Sequence, residues 1–207
     1  MANLQIRIIL ACLICFTILV NGSQAYAKSK NGKKPKTYFS ASGFLFNVED
    51  QSENISGSLV ESDTSLGFGG ALAVGTKLQK GLRAEFEYAY RVFDFDVLVN
   101  SAKVSEAEST INSIMANLAF DMRMSRRLSP YFGIGMGWAW EDGEITSGAG
   151  SGFKASSDGI AYQGLAGIRY KVTTKFGLLL GYRYFLIDYD EDDTEGGNFE
   201  LGMRLFF

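Results

Sequence analysis

Two stretches of the sequence contain residues that could bind a ligand. The acidic run DYDEDDTEGG (Asp188–Gly197) begins with carboxylates at alternate positions, as the calcium loop of an EF-hand does. That loop needs glycine at its sixth position and glutamate at its twelfth, where this chain has Asp193 and Phe199. In SGAGSGFKAS (Ser147–Ser156), Phe153 separates the glycine from the lysine that a phosphate-binding loop requires. We therefore interpret both stretches as solvated loops and expect no metal and no cofactor.

The composition narrows the chemistry further. The 207 residues include no histidine, which removes the commonest general base and the commonest metal ligand. Ser-His catalysis is excluded, whereas a carboxylate mechanism stays open, although the sequence identifies no convergent pair of carboxylates. A formal net charge of −3 supplies no basic surface for nucleic acid. The sequence predicts a protein that is not an enzyme and has no nucleic-acid partner.

The first 27 residues have the features of a secretory signal peptide. Arg7 precedes the apolar run Ile8–Val20, and the tripeptide AYA, ending at Ala27, supplies a small-x-small cleavage site. The apolar run is too short to cross a bilayer as a helix. Cleavage would remove both Cys12 and Cys15, so the exported chain would have neither a disulfide nor a thiol nucleophile. A lipoprotein anchored through Cys12 is the alternative.

Eight segments beyond a basic linker at residues 28–36 alternate apolar and polar side chains with the period of a β-strand. The predicted strands are Thr37–Phe46, Ser65–Leu78, Leu82–Phe95, Thr110–Arg123, Ser129–Trp140, Asp158–Val172, Phe176–Asp188 and Asn198–Phe207. The connections between them are alternately long and short. The long connections are predicted at Asn47–Thr64, Asp96–Ser109, Glu141–Ser157 and Tyr189–Gly197.

Long strands joined by alternating connections are typical of a transmembrane β-barrel with tight turns at one end and long loops at the other. A tilted strand of about nine to eleven residues is long enough to cross a bilayer. The sequence therefore predicts an all-β fold, an eight-stranded antiparallel up-and-down transmembrane β-barrel formed by residues 37–207. The alternative is a secreted soluble β-protein whose aromatic side chains form a packed core.

The last predicted strand has one continuous apolar face. That face consists of Phe199, Leu201, Met203, Leu205 and Phe207 and is expected to contact lipid. Pairing of this strand with the first would close the barrel and leave no unpaired backbone groups in hydrocarbon. Which face of the first strand points to lipid stays open, because the pattern of Thr37–Phe46 is compatible with either alternating set of side chains facing outward.

These segments resemble the eight-stranded outer-membrane barrel family of Gram-negative bacteria, the OmpA, OmpX and opacity-protein type. Tyr162–Phe185 is similar to that family's penultimate hairpin, and Leu82–Asp94 is similar to the third strand of related bacterial surface antigens. The resemblance covers roughly residues 37–207 and implies a location in the outer membrane, in contact with its lipid, with the linker in the periplasm. The alternating apolar residues that end at Phe207 resemble the family's assembly signal, which implies the barrel-assembly machinery as a partner.

Charged side chains on the opposite strand faces are expected to fill the lumen. An eight-stranded barrel is just wide enough for side chains to fill it, and buried charges must pair. The predicted network consists of Arg83, Glu85, Glu87, Arg91, Asp121, Arg123, Arg169, Arg183, Glu200 and Arg204. We interpret it as a structural plug, with a gated narrow pore as the alternative.

The resulting hypothesis is a non-enzymatic barrel whose rigid frame displays four extracellular loops. Long loops on a rigid scaffold commonly carry function, here as a surface antigen, in adhesion to a host or surface ligand, or in envelope integrity. A porin-like channel for small solutes is the alternative function.

Overall fold

The computed structural model of the chain describes residues 37–48, 51–55, 58–78, 81–99, 102–148, 151–189 and 193–207. The predicted signal peptide and linker, residues 1–36, lie outside the described residues. Within these ranges, all the regular secondary structure is β-strand. The same described residues contain no helix that is long and apolar enough to cross a membrane.

Eight strands form a closed antiparallel barrel, and two short strands form a hairpin beside it. The ten elements are β1 (Thr37–Val48), β2 (Gln51–Ile55), β3 (Ser58–Thr64), β4 (Gly67–Lys77), β5 (Leu82–Val99), β6 (Ala102–Asp121), β7 (Leu128–Gly148), β8 (Lys154–Lys171), β9 (Phe176–Asp188) and β10 (Asp193–Phe206). Around the barrel the order is β1, β4, β5, β6, β7, β8, β9 and β10, and β10 returns to β1. The all-β prediction and the eight-stranded antiparallel barrel are thereby confirmed.

The first and last strands close the barrel along their full length. Their register runs from Tyr38 opposite Phe206 to Val48 opposite Gly196. This register shows which side chains of β1 point into the lumen. Phe44 and Phe46 are buried inside the barrel, whereas Leu45 between them is 54% exposed on its outer surface.

The outer surface of the barrel is apolar. The five residues predicted to face lipid, four on β10 and Phe207 just after it, are all exposed, with Phe199 at 70% and Leu201 at 67%. Between them, Glu200 is buried in the lumen. An exposed apolar band that continues around a closed barrel is what a lipid-facing surface requires.

Strands β5–β8 are all longer than the sequence predicts. They contain 18, 20, 21 and 18 residues, whereas about nine to eleven are needed to cross a bilayer. The prediction of long loops at Asp96–Ser109 and Glu141–Ser157 is therefore wrong, because most of both segments extends the sheet. The predicted loop Asn47–Thr64 likewise contains β2 and β3, and β3 pairs with β5. Outside the membrane both faces of a strand can be polar, so the apolar alternation that located the other strands disappears.

Short connections lie together at one end of the barrel, which we call the turn end; the opposite end is the loop end. At the turn end, the Ser125 hydroxyl accepts a hydrogen bond from the Leu128 backbone N–H at 2.9 Å. The Thr173 hydroxyl accepts one from the Phe176 backbone N–H at 3.0 Å. Gly81 precedes β5 with φ of 93°, a conformation that favours glycine. These local contacts fix the tight hairpins that the sequence predicts.

A substitution at Gly137 tests how closely the backbones of β6 and β7 must approach each other. A Cβ at this position would come within 1.9 Å of the Ile114 carbonyl oxygen, which belongs to the backbone and cannot rotate away. We expect Gly137→Ala to lower the free energy of unfolding by about 1–3 kcal/mol, since overpacking forces strands apart. The measurement is the temperature at which the folded barrel loses its distinct mobility in SDS gels.

Gly164→Ala is the matched control for that substitution. A Cβ at Gly164 meets no atom within 4 Å, so the added methyl group is accommodated. Equal transition temperatures for the two variants would contradict the packing argument.

Candidate functional site in the barrel lumen

The centre of the lumen is organised around Arg183 on β9. Its Nε and Nη2 donate to the two carboxylate oxygens of Glu200 at 2.8 and 2.7 Å. Its Nη1 donates to Glu87 on β5 at 2.6 Å. Gln163 and Asn117 also donate to the Glu87 carboxylate, at 3.2 and 3.3 Å. The result is a bidentate guanidinium–carboxylate pair within a hydrogen-bond network that spans five strands, and such charge-assisted pairs are strong hydrogen bonds.

A second charged group lies nearer the turn end. The Arg83 Nη1 donates to Asp121 at 2.6 Å, and the Arg204 Nη2 donates to Glu85 at 2.7 Å. The Tyr38 hydroxyl donates to the same Glu85 carboxylate at 2.7 Å. The guanidinium of Arg204 also lies over the Tyr38 ring, 4.2 Å from its centroid. These contacts link the closing strands β1 and β10 to β5 and β6 through the lumen.

An aromatic ring packs against two cations at the turn end of the lumen. Lys77 and Arg169 each contact the same oxygen of Asp121 at 3.4 Å. Both cations also lie over the Phe206 ring, at 5.2 and 5.7 Å from its centroid. The Phe206 ring therefore offers its electron-rich face to both cations.

The loop half of the lumen contains an apolar cluster, a feature that the sequence analysis does not anticipate. Its main side chains, which we call the apolar plug, are Phe46, Phe93, Ile111, Phe185 and Ile187, all at most 6% exposed. Phe46 packs edge-on against Phe93 and Phe185, with ring centroids 5.6 and 6.2 Å apart. The inward parity of these residues is visible in the sequence once the facing of each strand is known.

Arg91 joins the two halves of the lumen. Its guanidinium lies 4.7 Å from the Phe185 ring centroid and 5.2 Å from that of Phe44. Its hydrogen bonds go to neutral acceptors, Asn198 at 3.4 Å and Ser113 at 3.2 Å. The positive charge is thus held by two aromatic faces and two polar side chains at the base of the apolar plug.

Almost no open space remains among the charged side chains. The cavity between Arg83, Glu85, Glu87, Arg183, Glu200 and Arg204 has a volume of about 10 Å³. A single water molecule needs about 10–15 Å³ by this measure. The described side chains therefore close the lumen at its centre. The apolar plug lies on the loop-end side of them.

The structure brings nine of the ten predicted lumen charges together. Arg83, Glu85, Glu87, Arg91, Asp121, Arg183, Glu200 and Arg204 are buried, and Arg169 is mostly buried. The placement of Arg123 in the network is wrong. Arg123 lies beyond the last residue of β6 and is exposed at the turn end. Lys77, Tyr38, Asn117 and Phe206 belong to the network although the prediction omits them.

The two candidate ligand loops do not form a site in the described residues. Asp193–Gly197 belongs to β10, while residues 190–192 of the acidic run lie outside the described part of the chain. Lys154 begins β8 and pairs with Glu144 across the strands at 2.8 Å. Among the described residues no group of three or more carboxylates, histidines or cysteines could hold a metal ion.

Acidic side chains dominate the outer surface at the loop end. Asp94, Glu108 and Glu144 lie directly opposite one another on β5, β6 and β7 and are exposed. Asp142 and Lys154 lie beside them, and Lys154 is the only exposed cation among the side chains described at this end. Like charges in direct cross-strand register cost free energy, so this surface is not arranged for stability. Inside the loop end of the lumen, Tyr189 donates a hydrogen bond to Glu141, and burial and this carboxylate raise the pKa of Tyr189.

A sequence model of the family described as "outer membrane protein beta-barrel domain" matches residues 9–207. No curated protein matches the chain.

Solved structures of bacterial surface proteins share the fold. Neisserial surface protein A is 20% identical, with a TM-score of 0.59 over 83% of this chain and 97% of its own. Ail, the attachment invasion locus protein of Yersinia pestis, solved with the heparin analogue sucrose octasulfate, is 16% identical, with a TM-score of 0.55 over 84% and 100%. OprG from Pseudomonas aeruginosa is 12% identical, with a TM-score of 0.57 over 84% and 96%. At these identities the likeness shows the fold alone.

Arg183 is the side chain whose loss should damage the lumen most. Arg183→Met leaves Glu87 and Glu200 buried without their cation, so we expect the free energy of unfolding to fall by about 3–5 kcal/mol. Adding Glu87→Gln and Glu200→Gln should recover most of that loss. Urea unfolding in lipid vesicles, followed by tryptophan fluorescence, measures both effects.

Arg126→Met, in the exposed turn after β6, is the matched control and should change the free energy of unfolding by no more than about 0.5 kcal/mol. A loss at Arg183 no larger than this would show that the network does not stabilise the barrel.

Proposed function

The chain belongs to the outer-membrane β-barrel family, and we propose that it is a non-enzymatic frame that displays its loop end at the cell surface. Family membership implies a location in the outer membrane. The proposal assigns the turn end, the linker and the assembly signal ending at Phe207 to the periplasmic side. The role of the barrel is then to hold a surface outside the cell.

The observation that carries this proposal is the closed lumen. The Arg183 network leaves a cavity of about 10 Å³, and the apolar plug lies between it and the loop end. A hydrated solute would have to displace buried ion pairs and aromatic packing in series, at a cost of several kcal/mol. This arrangement supports display over the alternative of a porin-like channel.

A second observation supports the same function. Strands β5–β8 and the β2–β3 hairpin carry the sheet well beyond the length that spans a bilayer. Paired strands present side chains at fixed positions, which lowers the entropy lost when a partner binds. The surface that they present is suited to recognition.

The charge of that surface limits which kinds of partner can bind to it. Ail was solved with a polyanionic sugar, sucrose octasulfate. Here the exposed carboxylates Asp94, Glu108, Asp142 and Glu144 surround the single exposed cation described at this end, Lys154. Like charges across an interface oppose association, so the proposed partner is neutral or cationic.

Single-channel recording tests display against conduction. We expect the protein, inserted in a planar lipid bilayer, to give no current steps above those of the lipid alone, because the lumen is filled. Insertion is verified by the heat-dependent gel shift of protein recovered from the same vesicles. Steps that grow larger in Phe185→Ala, which shortens a side chain of the apolar plug, would overturn the display proposal and establish the channel.

Binding of labelled heparin to intact cells tests the sign of the charge on this surface. We expect cells that carry the protein to bind no more heparin than cells without it. A variant with Glu108→Lys, Asp142→Lys and Glu144→Lys should bind it. Intact cells are required because the linker contains five lysines, Lys28, Lys30, Lys33, Lys34 and Lys36, which would bind heparin if exposed in detergent. Salt-sensitive binding by the unmodified protein would contradict the proposed preference.

A further inference from the structure

An open groove on the outer surface of β7 and β8 lies where the apolar band of the barrel meets the acidic loop end. It has a volume of about 280 Å³, close to the lower end of the range for small-molecule sites, about 300–1,000 Å³. Trp138, Trp140 and Asp142 line it from β7, and Asp158 lines it from β8. Because every second side chain of a strand points to the same face, these four side chains share the outer surface with the exposed Met136.

The apolar band ends between the two tryptophans. Trp138 lies opposite the apolar Ile160, whereas Trp140 lies directly opposite Asp158. Side chains that lie directly opposite each other have Cβ atoms about 4.5–5.5 Å apart. Asp142 follows Trp140 on the same face, about 7 Å along the strand. A position at the membrane–water boundary accounts for the tryptophans themselves, but not for an indole that has carboxylates on two sides.

The two carboxylates of the groove have no cationic partner. Neither Asp142 nor Asp158 makes a side-chain hydrogen bond or an ion pair with any residue that the structure describes. Their acidic neighbours are already engaged, since Glu144 pairs with Lys154 at 2.8 Å and Glu141 accepts hydrogen bonds inside the lumen. The groove therefore combines two negative charges that are available to a ligand with the faces of two indoles.

We propose that this groove binds an organic ammonium ion, with its positive group against the indole of Trp140 and beside the carboxylates of Asp142 and Asp158. Tryptophan attracts cations more strongly than the other aromatic side chains do, and aromatic cages commonly bind quaternary ammonium groups. A metal ion fits less well, because two carboxylates do not supply six or more oxygen ligands, and the described residues contain no group of three that could hold one. The inference specifies the cationic partner of the proposed function, on which the exposure of the groove outside the cell rests.

Titration with choline tests this binding in solution. Tryptophan emission reports on the groove directly, because the chain has two tryptophans and both line it. The full chain, purified in an uncharged maltoside detergent, is titrated with choline chloride against sodium chloride at equal ionic strength. We expect a saturable change in emission that the neutral analogue of choline, with a tert-butyl group in place of trimethylammonium, does not produce. No saturable change with choline, or the same change with both compounds, would overturn the proposal.

Substitutions of the lining residues assign the binding to this groove. Trp140→Leu should weaken choline binding about fivefold, because one indole face is lost while the other tryptophan still reports. The combined variant Asp142→Asn and Asp158→Asn should weaken it about tenfold. The matched control, Glu108→Gln with Glu144→Gln, removes two charges from the same surface outside the groove and should change the dissociation constant by no more than about twofold at physiological ionic strength. An equal loss in this control would show diffuse attraction to the surface and overturn the site.

Failure of this site and failure of the display proposal give different results. Ser156 lines the groove, and both natural cysteines, Cys12 and Cys15, lie in the predicted signal peptide. On intact cells the Ser156→Cys variant should therefore react with a maleimide attached to a polymer too large to cross the outer membrane. Choline binding in detergent without labelling on cells would support the site and contradict display. Labelling on cells without choline binding would support display and overturn the site.

Discussion

The constraint on which the structure depends is that no backbone hydrogen-bonding group can be left unpaired in hydrocarbon. Pairing of β1 with β10 satisfies it by turning an open sheet into a ring. Closure then fixes the parity of every strand, because side chains alternate between the two faces. Leu45 and Leu201 must face lipid, and Phe44 and Glu200 must face the lumen. The apolar exterior and the charged interior are two consequences of one hydrogen-bonded ring.

The narrowness of the ring determines what its interior can be. Eight strands enclose a space that side chains just fill, so charges placed there lose their water and must find partners within reach. In the centre, Arg183 meets this requirement with Glu87 and Glu200. Toward the loop end most inward side chains belong to the apolar plug, and the Glu141 carboxylate accepts hydrogen bonds from Ser109 and Tyr189. At the turn end four cations, those of Lys77, Arg83, Arg169 and Arg204, share the two carboxylates of Glu85 and Asp121.

Much of this architecture could be predicted from the sequence, because strand parity is a local pattern. The alternation of Leu201 and Met203 with Glu200 and Arg204 gives the facing of β10 without any knowledge of its neighbours. Two features could not be obtained in this way. The extensions of β5–β8 lie outside lipid, where both strand faces can be polar, so Glu106 and Ser109 carry no strand signal. The apolar plug arises from inward apolar residues on different strands, and only the register shows that Phe46, Phe93 and Phe185 meet. Arg123 continues the inward parity of β6, but the strand ends at Asp121, before reaching it.

The distribution of charge along the barrel axis links the fold to its proposed role. Basic side chains such as Arg126 and Lys175 are exposed at the turn end, whereas Asp94, Glu108 and Glu144 are exposed in register at the loop end. The like charges at the loop end oppose strand pairing, so the sheet that carries them must be stabilised elsewhere. The closed ring and the filled lumen below provide that stability. A barrel that is rigid and filled can hold an electrostatically unfavourable surface outside the membrane, which the proposed display function requires.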